Sequence, residues 1–460
     1  MGLWSALTDN KIYNFEQAFG AKDMTSSAMQ RAIESWFAMY FDTAEAPEDE
    51  DGCQRLPVVV VNKLYKAVFG EYEAAISGSD FLARCMENLD SVRKRAMQMA
   101  LIGGECLIKP VFARGAFQFV IVRRDCMVPL ARDDAGRLTS VGTVETTKQG
   151  KWRYSLLERR TVDSGGYLTI ECKLYRSGTA GALGTQIPLT SLACYSDLEE
   201  RVILPHPIWN LGMATLRTPM ENTVDGSSDA VSVYAAAVKL IRNINRNEKQ
   251  IDQEFENGRS RLIASADMVT KDSMGRKKLA DDFYIGVDDD PESVGVTIFS
   301  PALREQSYLA RKQEYLRNIE NLIGLKRGLL SEVEAAERTA TEVTSSMGDY
   351  SLTIQDFQQM WEDMLKELFP TCLTLGQMYG LCKGERFDPE GDLSIDWGNG
   401  ILYDKDKTWA EIVQMVAAGM LKPEIALAWK YDEPWETPED LAKIRTRYMP
   451  ELEGLVGGEA

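Results

Sequence analysis

Between Ser228 and Phe255 the apolar residues Val233, Ala237, Leu240, Ile241, Ile244, Ile251 and Phe255 recur mostly at steps of three and four. That spacing places them on one face of an α-helix. Asn257 and Gly258 close the pattern, since both tolerate the left-handed backbone that ends helices. A short β-rich excursion follows, and helical spacing resumes after Pro301. The pattern therefore predicts a hairpin of long helices, residues 228–258 and 301–323, with a small β-containing unit, residues 259–300, at its tip. At roughly 1.5 Å per residue, the first rod would reach about 45 Å. A second interruption, residues 324–341, runs from Gly324 through Lys326, Arg327 and Gly328 to Thr341, and another long helix follows it. Helices of this length need neighbours along their whole extent to cover their apolar stripes. Further copies of the same chain are the expected neighbours.

At the tip, residues 261–265, 282–287 and 294–299 are rich in β-branched and aromatic side chains and read as three short strands. The connection between the first two contains Lys271, Arg276, Lys277 and Lys278. Asp288, Asp289, Asp290, Pro291 and Glu292 join the second to the third. Adjacent residues on an extended chain point in opposite directions, so the three aspartates read as an exposed acidic turn rather than a metal site.

The remainder is α+β in character. Residues 1–55 form a peripheral segment ending in an acidic linker, Glu45 to Asp51. Residues 56–227 begin with the apolar run Leu56 to Leu64, leading into helix, and continue with helical spacing from Asp80 to Leu101, stopped by Gly103 and Gly104. Alternating strands follow at 105–111, 117–122, 127–130, 138–145, 152–159 and 167–175, with a turn at Asp133 to Gly136. Residues 342–403 hold the long helix, a further helix after Phe369 and Pro370, and a strand at 393–397. Residues 404–460 return to short helices: Thr408 to Ala418, Glu424 to Lys430, and one opening at Thr437 and Pro438.

Lys239, Arg242, Arg246 and Lys249 repeat at three, four and three residues and make a basic stripe on the first long helix. Either it is a solvated face, or one paired to acids of a neighbouring helix, or it meets a polyanion. The overall balance is acidic, 52 basic against 70 acidic side chains and a net charge of −18. Gripping nucleic acid over a general surface needs clustered lysine and arginine, so that mode is disfavoured. A passage through which DNA slides is not, because tight phosphate contacts would hinder movement.

Candidate chemistry is sparse. His206, the single histidine, sits between Pro205 and Pro207 with no assignable nucleophile, which argues against histidine acid–base catalysis and zinc. Eight cysteines include no Cys-x-x-Cys pair and read as reduced packing residues. The glycines between Gly178 and Gly184 lie between β-like segments with no following Gly-Lys-Ser/Thr, which reads as a hairpin loop and not a phosphate cradle. No run of eighteen apolar residues exists to span a membrane, and the N-terminus lacks signal-peptide character, so the chain is expected in the cytoplasm of the cell that makes it. A DNA-processing enzyme with carboxylate-bound magnesium would have to draw on Asp281, Asp282 and Asp288 to Asp290. A polymeric scaffold without DNA passage is a further alternative.

The order of these elements resembles the portal proteins of tailed double-stranded-DNA bacteriophages. The resemblance begins at Leu56 to Asn62, continues through Ala96 to Cys106 and the Asp134 to Gly136 turn with its following strand to Glu145, and is strongest from Ser228 to Phe369, including Thr339 to Glu342. Thr408 to Arg447, with Ala417, Gly419, Pro423 and the helix opening at Pro438, is similar to the family's C-terminal part. The resemblance implies an α+β, portal-like protomer: a wing of helices plus an antiparallel β layer (56–227), a stem hairpin (228–258 and 301–323), a clip (259–300), a tunnel loop (324–341), a long wing helix with its following segment (342–403) and a helical crown (404–460). It also implies a ring, usually of twelve subunits, at one vertex of an icosahedral capsid in the virion, assembled in the host cytoplasm. Such a ring serves DNA packaging and ejection, and the head-tail connection. The implied partners are the terminase large subunit, head-completion or adaptor proteins, major capsid and scaffold proteins, and double-stranded DNA. No cofactor, membrane or catalytic residue is implied. Lys326 and Arg327 of the tunnel loop, then Lys239, Arg242, Arg246 and Lys249 of the stem, are the implied DNA-channel residues. An alternative role for Lys326 and Arg327 is to satisfy carbonyls at a helix C-terminus. Lys271, Arg276, Lys277 and Lys278 are the candidates for partner binding at the clip.

Overall fold

The structure, a computed structural model, describes residues 15–41, 52–113, 115–179, 182–257, 261–264, 269–271, 277–279, 296–299, 303–332, 340–398, 405–431, 433–435 and 437–449. Helices α1 (Phe15–Phe19) and α2 (Ser27–Phe41) come first, and Trp36 and Phe37 of α2 are buried. The apolar run at Leu56 is itself helix, α3 (Leu56–Val68), with Pro57 in the first turn where its missing N–H costs little. Four consecutive valines have modest helix propensity, but Val60, Val61 and Leu64 are fully buried, and that tertiary cover decides the outcome. Strand β1 (Glu73–Ile76) leads to α4 (Asp80–Gly103), whose N-cap Ser79 accepts the Leu82 N–H through Oγ at 3.1 Å. Gly104 stops α4 as expected: its φ is 87°, and a Cβ there would lie 2.5 Å from the Ala230 carbonyl oxygen.

An antiparallel layer follows: β2 (Glu105–Ala113), β3 (Ala116–Arg123), β4 (Met127–Arg132), β5 (Leu138–Gln149), β6 (Trp152–Val162), β7 (Leu168–Ser177), β8 (Thr185–Ile187), β9 (Arg201–Ile203) and β10 (Ala214–Arg217). β10, β2 and β3 form a three-stranded sheet packed on α4. β4 to β8 form the larger sheet in sequence order, with β9 paired to β7. The glycine-rich segment after Gly178 joins the antiparallel pair β7 and β8. Arg124, just before β4, is buried with Glu105 and Asp229, the side chain of Arg132 at the end of β4 is largely covered beside them, and together they tie this layer to the segment before the next helix: Arg132 reaches Asp229 at 2.9 Å, and Arg124 reaches Glu105 at 3.1 Å.

The next helix, α5 (Val238–Asn257), begins ten residues later than the periodicity implies, which shortens the rod from about 45 Å to about 30 Å. Residues 229–234 are instead a buried, non-helical strap, entered from the exposed Ser228. Their polar groups are engaged elsewhere: the Val233 N–H and the Ser232 hydroxyl both donate to the Leu101 carbonyl, at 3.0 and 3.1 Å, and Thr218 Oγ1 donates to the Val231 carbonyl at 2.7 Å. Tertiary partners for the backbone thus displace the helical ladder.

At the tip, β11 (Arg261–Ala264) pairs with β14 (Val296–Phe299), while β12 (Val269–Lys271) and β13 (Lys277–Leu279) form a second antiparallel pair. The stretch read as a connection from Thr270 to Lys278 therefore carries two strands. The expected strand at 282–287 lies outside the described residues. Helix α6 (Glu305–Ile323) returns, and α7 (Ala340–Met378) runs for 39 residues straight through Pro370. The expected break at Phe369 and Pro370 does not occur. Proline inside a helix costs about 3 kcal/mol, and here Leu365, Leu368, Phe369 and Cys372, all fully buried around it, offset that cost.

β15 (Leu393–Asp396) pairs with β1, setting Asp396 opposite Glu73. Helices α8 (Lys405–Ala417), α9 (Pro423–Tyr431) and α10 (Pro438–Tyr448) follow, the last capped by Thr437, whose Oγ1 accepts the Asp440 N–H at 3.2 Å. The main core joins α2, α3, α4 and α7 to the small sheet. Within it Phe69 meets Trp361 edge-on at 5.1 Å, and the Trp361 indole N–H donates to the Tyr72 hydroxyl at 3.1 Å. Cys85, Cys106, Cys172, Cys372 and Cys382 are buried packing residues, but Cys194 is exposed and departs from that reading. Burial pushes the Cys85 thiol up to about 11.

Candidate functional site

Helices α5 and α6 pack side by side. Near the body Ile241, Ile244, Leu316, Ile319 and Ile323 are buried, and toward the β tip the cover runs out: Phe255, Leu303 and Leu309 are each more than two-fifths exposed. Phe255, assigned by spacing to the apolar face, thus lies uncovered within a single protomer. The two helices are cross-linked by charge. Lys312 reaches Glu248 at 2.8 Å, and Arg304 grips Glu254 with two parallel hydrogen bonds of 3.0 and 2.8 Å. Hydrogen bonding by Arg304 holds the Glu254 carboxyl below its ordinary value. Asn247 Nδ2 donates to the Tyr308 carbonyl at 3.1 Å.

These pairings bear on the basic stripe. The acids of α5 facing α6 are taken by α6's own cations, not by the stripe. Lys239, Arg242 and Arg246 are exposed, and Lys249 is half-buried. Arg242 turns back to donate to Ser35 Oγ at 2.9 Å, which fastens α5 to α2. Arg246 faces an open groove between α5 and α6 of about 550 Å³ that Arg304 and Arg311 also line. Within the protomer Arg242 thus ties α5 to α2, and Arg246 lines a groove with two further arginines. Polar residues on α5 (Asn243, Arg246, Asn247, Gln250) and on α6 (Arg304, Ser307, Tyr308, Arg311, Tyr315) recur at three and four. That recurrence was the available sequence signal for the groove.

Lys326 and Arg327 lie just past the end of α6. Gly324 adopts a left-handed φ of 76°, and the N–H groups of Gly324 and Leu325 both return to the Glu320 carbonyl, the latter at 2.9 Å. Backbone amides thus satisfy that carbonyl, the task otherwise open to the basic pair. The loop is then drawn around the Glu320 side chain, which is fully buried. Its Oε1 accepts the N–H groups of Gly328, Leu330 and Ser331 at 3.1, 2.5 and 2.9 Å, and its Oε2 accepts the Ser331 hydroxyl at 2.7 Å. Lys326 is half-buried and Arg327 exposed on this clamped turn. The part of the loop beyond Glu332, up to Thr339, lies outside the described residues.

At the tip the backbone register sets Lys271 opposite Lys277 and Lys278 opposite Thr270. Arg276, Asp281, Asp282 and Asp288 to Asp290 lie outside the described residues. Among the described residues no group of histidine, cysteine, aspartate and glutamate is arranged to hold a metal, and no helix is long and apolar enough to cross a membrane.

A family model for phage portal proteins of the SPP1 Gp6-like type matches residues 85–449, most of the chain. This chain belongs to that family. Its α+β arrangement of long helices with antiparallel sheets is a portal-like fold. No curated protein matches it. Among solved structures it is similar to a chain in the neck of a native GTA particle computed with C12 symmetry, with a TM-score of 0.47, 12% identity, and coverage of 90% of this chain and 96% of that one. A chain in the virion of a native gene transfer agent particle gives 0.44 and 11%, covering 92% and 96%, and one in the neck of an empty GTA particle computed with C6 symmetry gives 0.45 and 13%, covering 90% and 96%.

Proposed function

We propose that this portal-family chain is the protomer of a closed ring, of twelve copies by family expectation, that forms the DNA passage at one vertex of a phage capsid. The observation that carries the reading is the uncovered end of the α5/α6 hairpin. Phe255, Leu303 and Leu309 line a helical pair that the protomer's own body does not cover, and the cover a ring supplies is the next copy's hairpin. In that ring residues 228–258 and 301–323 form the stem around the channel. Residues 259–300 form a clip that receives the terminase large subunit and later the head-completion proteins. The loop from Gly324 brings Lys326 and Arg327 nearest the duplex, and Glu320 fixes where they stand. Catalysis of packaging belongs to a partner ATPase, because this chain has no Walker lysine motif.

Electron microscopy of the purified full chain tests the reading. Closed rings with a duplex-wide hole support it, and a monodisperse monomer at high concentration overturns it. Open polymers favour a scaffold, and metal-dependent nicking of DNA favours an enzyme. Replacing Lys326 and Arg327 by alanine should leave assembly intact and change packaging or DNA retention. Unaltered packaging removes the pair from the channel.

A further inference from the structure

The groove between α5 and α6 has a composition that the DNA-channel role does not account for. Of its three arginines, Arg304 is held by Glu254, and Arg311 by Glu314 at 2.7 Å with its guanidinium 4.6 Å from the Tyr315 ring centroid. Arg246 has no acidic partner among the described residues, and it opens into the same space beside Asn243, Gln250 and Tyr308. Glu254 and Glu314, bound to the other two arginines, would repel a run of phosphates. A single guanidinium ringed by amides and phenols instead matches one or two carboxylates, which arginine grips in bidentate fashion.

The same helix offers such carboxylates on its far side. At 100° per residue, Asp252 lies roughly half a turn round α5 from the centre of the groove row, and Glu256 about a third of a turn. Both are exposed, and neither has a cationic partner among the described residues. One flank of the hairpin therefore carries an unanswered positive group, and the other carries unanswered negative ones. A patch complementary to a different patch on an identical molecule is the requirement of a head-to-tail contact, which repeats around a ring until it closes.

We infer that the arginine groove of one protomer receives Asp252 and Glu256 of the adjacent copy, so that Arg246 is a register-setting residue of the stem ring and not a DNA contact. The inference rests on the ring reading given above and specifies which faces meet.

Charge reversal in the full chain tests it, with mass photometry and sedimentation velocity over a salt series. Arg246→Glu and the pair Asp252→Arg with Glu256→Arg should each weaken ring association by about tenfold or more. Combining all three should restore association to near the parent's level, because the complementarity is inverted and not lost. These positions are solvent-exposed, so the substitutions leave the protomer's core untouched. Rings that form equally well in the single-side variants, or a combination that recovers nothing, overturn the inference while leaving the ring reading in place. Intact Arg246→Glu rings that lose affinity for duplex DNA also overturn it and assign the groove to nucleic acid. A parent chain that forms no ring fails at the earlier step.

Discussion

Glu320 accepts both the backbone N–H and the side-chain hydroxyl of Ser331, eleven residues further along, at 2.9 and 2.7 Å. With Gly328 and Leu330 donating to the same carboxylate, a buried anion takes the place of regular secondary structure in holding this turn. Each buried amide left without an acceptor costs about 1–3 kcal/mol. Glu320→Ala should therefore lower stability by about 3 kcal/mol or more in denaturant unfolding, and it should speed hydrogen exchange at Gly328, Leu330 and Ser331. Unchanged exchange at those amides would show that the turn holds itself.

Glu158 is buried between Lys109 at 2.7 Å and Arg160 at 2.6 Å. Burial pushes its carboxyl up, but the two cations outweigh that and hold it at about 2, below the ordinary 4.5. A carboxyl depressed in the folded state contributes stability that is complete above its unfolded value and is lost as pH falls. The parent's thermal midpoint should fall between pH 4.5 and 2, and Glu158→Gln should start lower at neutral pH and decline less across that window. Parallel curves for parent and variant would contradict this assignment.

The Trp361 indole N–H has the Tyr72 hydroxyl as its partner in the aromatic core. Tyr72→Phe keeps the ring packing and strands that N–H, for an expected loss of about 1–3 kcal/mol in chemical unfolding. Desolvation pushes the Tyr72 phenol up to about 12, so the hydroxyl keeps its proton and the contact should survive mild alkali. A neutral substitution would mean that packing alone holds Trp361.

Pro370 interrupts the hydrogen-bond ladder of α7 without ending the helix. Pro370→Ala restores a donor and removes the ring's clash with the preceding turn, so stability should rise by about 1 kcal/mol or more. A lower thermal midpoint would show instead that the ring fills space its neighbours need.

Strands β2 to β7 were legible because alternation and glycine-bearing turns are local signals, and so were the end of α4 at Gly104 and the start of α10 at Thr437. The strap from Asp229 departs from the helical pattern for a physical reason: Val233 and Ala237 are buried at a helical spacing, yet the Val233 N–H bonds to Leu101, a partner 132 residues away in sequence that local periodicity cannot register. Pro370 misled in the opposite direction, since local propensity signals a stop and burial overrides it. Of the candidate site, the basic residues were visible as a row, but their separation into a tether at Arg242 and a groove residue at Arg246 depends on Ser35 and α6. Glu320, one acid among many in the sequence, became recognisable only once Ser331 folded back over it.

The pairing of β1 with β15 has a consequence for biosynthesis. Phe69 and Tyr72 leave the ribosome early, yet Trp361 and Trp397 complete the aromatic wall they pack against. Well over three hundred residues must be translated before that wall can close, so the nascent chain spends most of its synthesis with a greasy seam open, and its earliest vulnerability to misfolding or to holdase chaperones lies there.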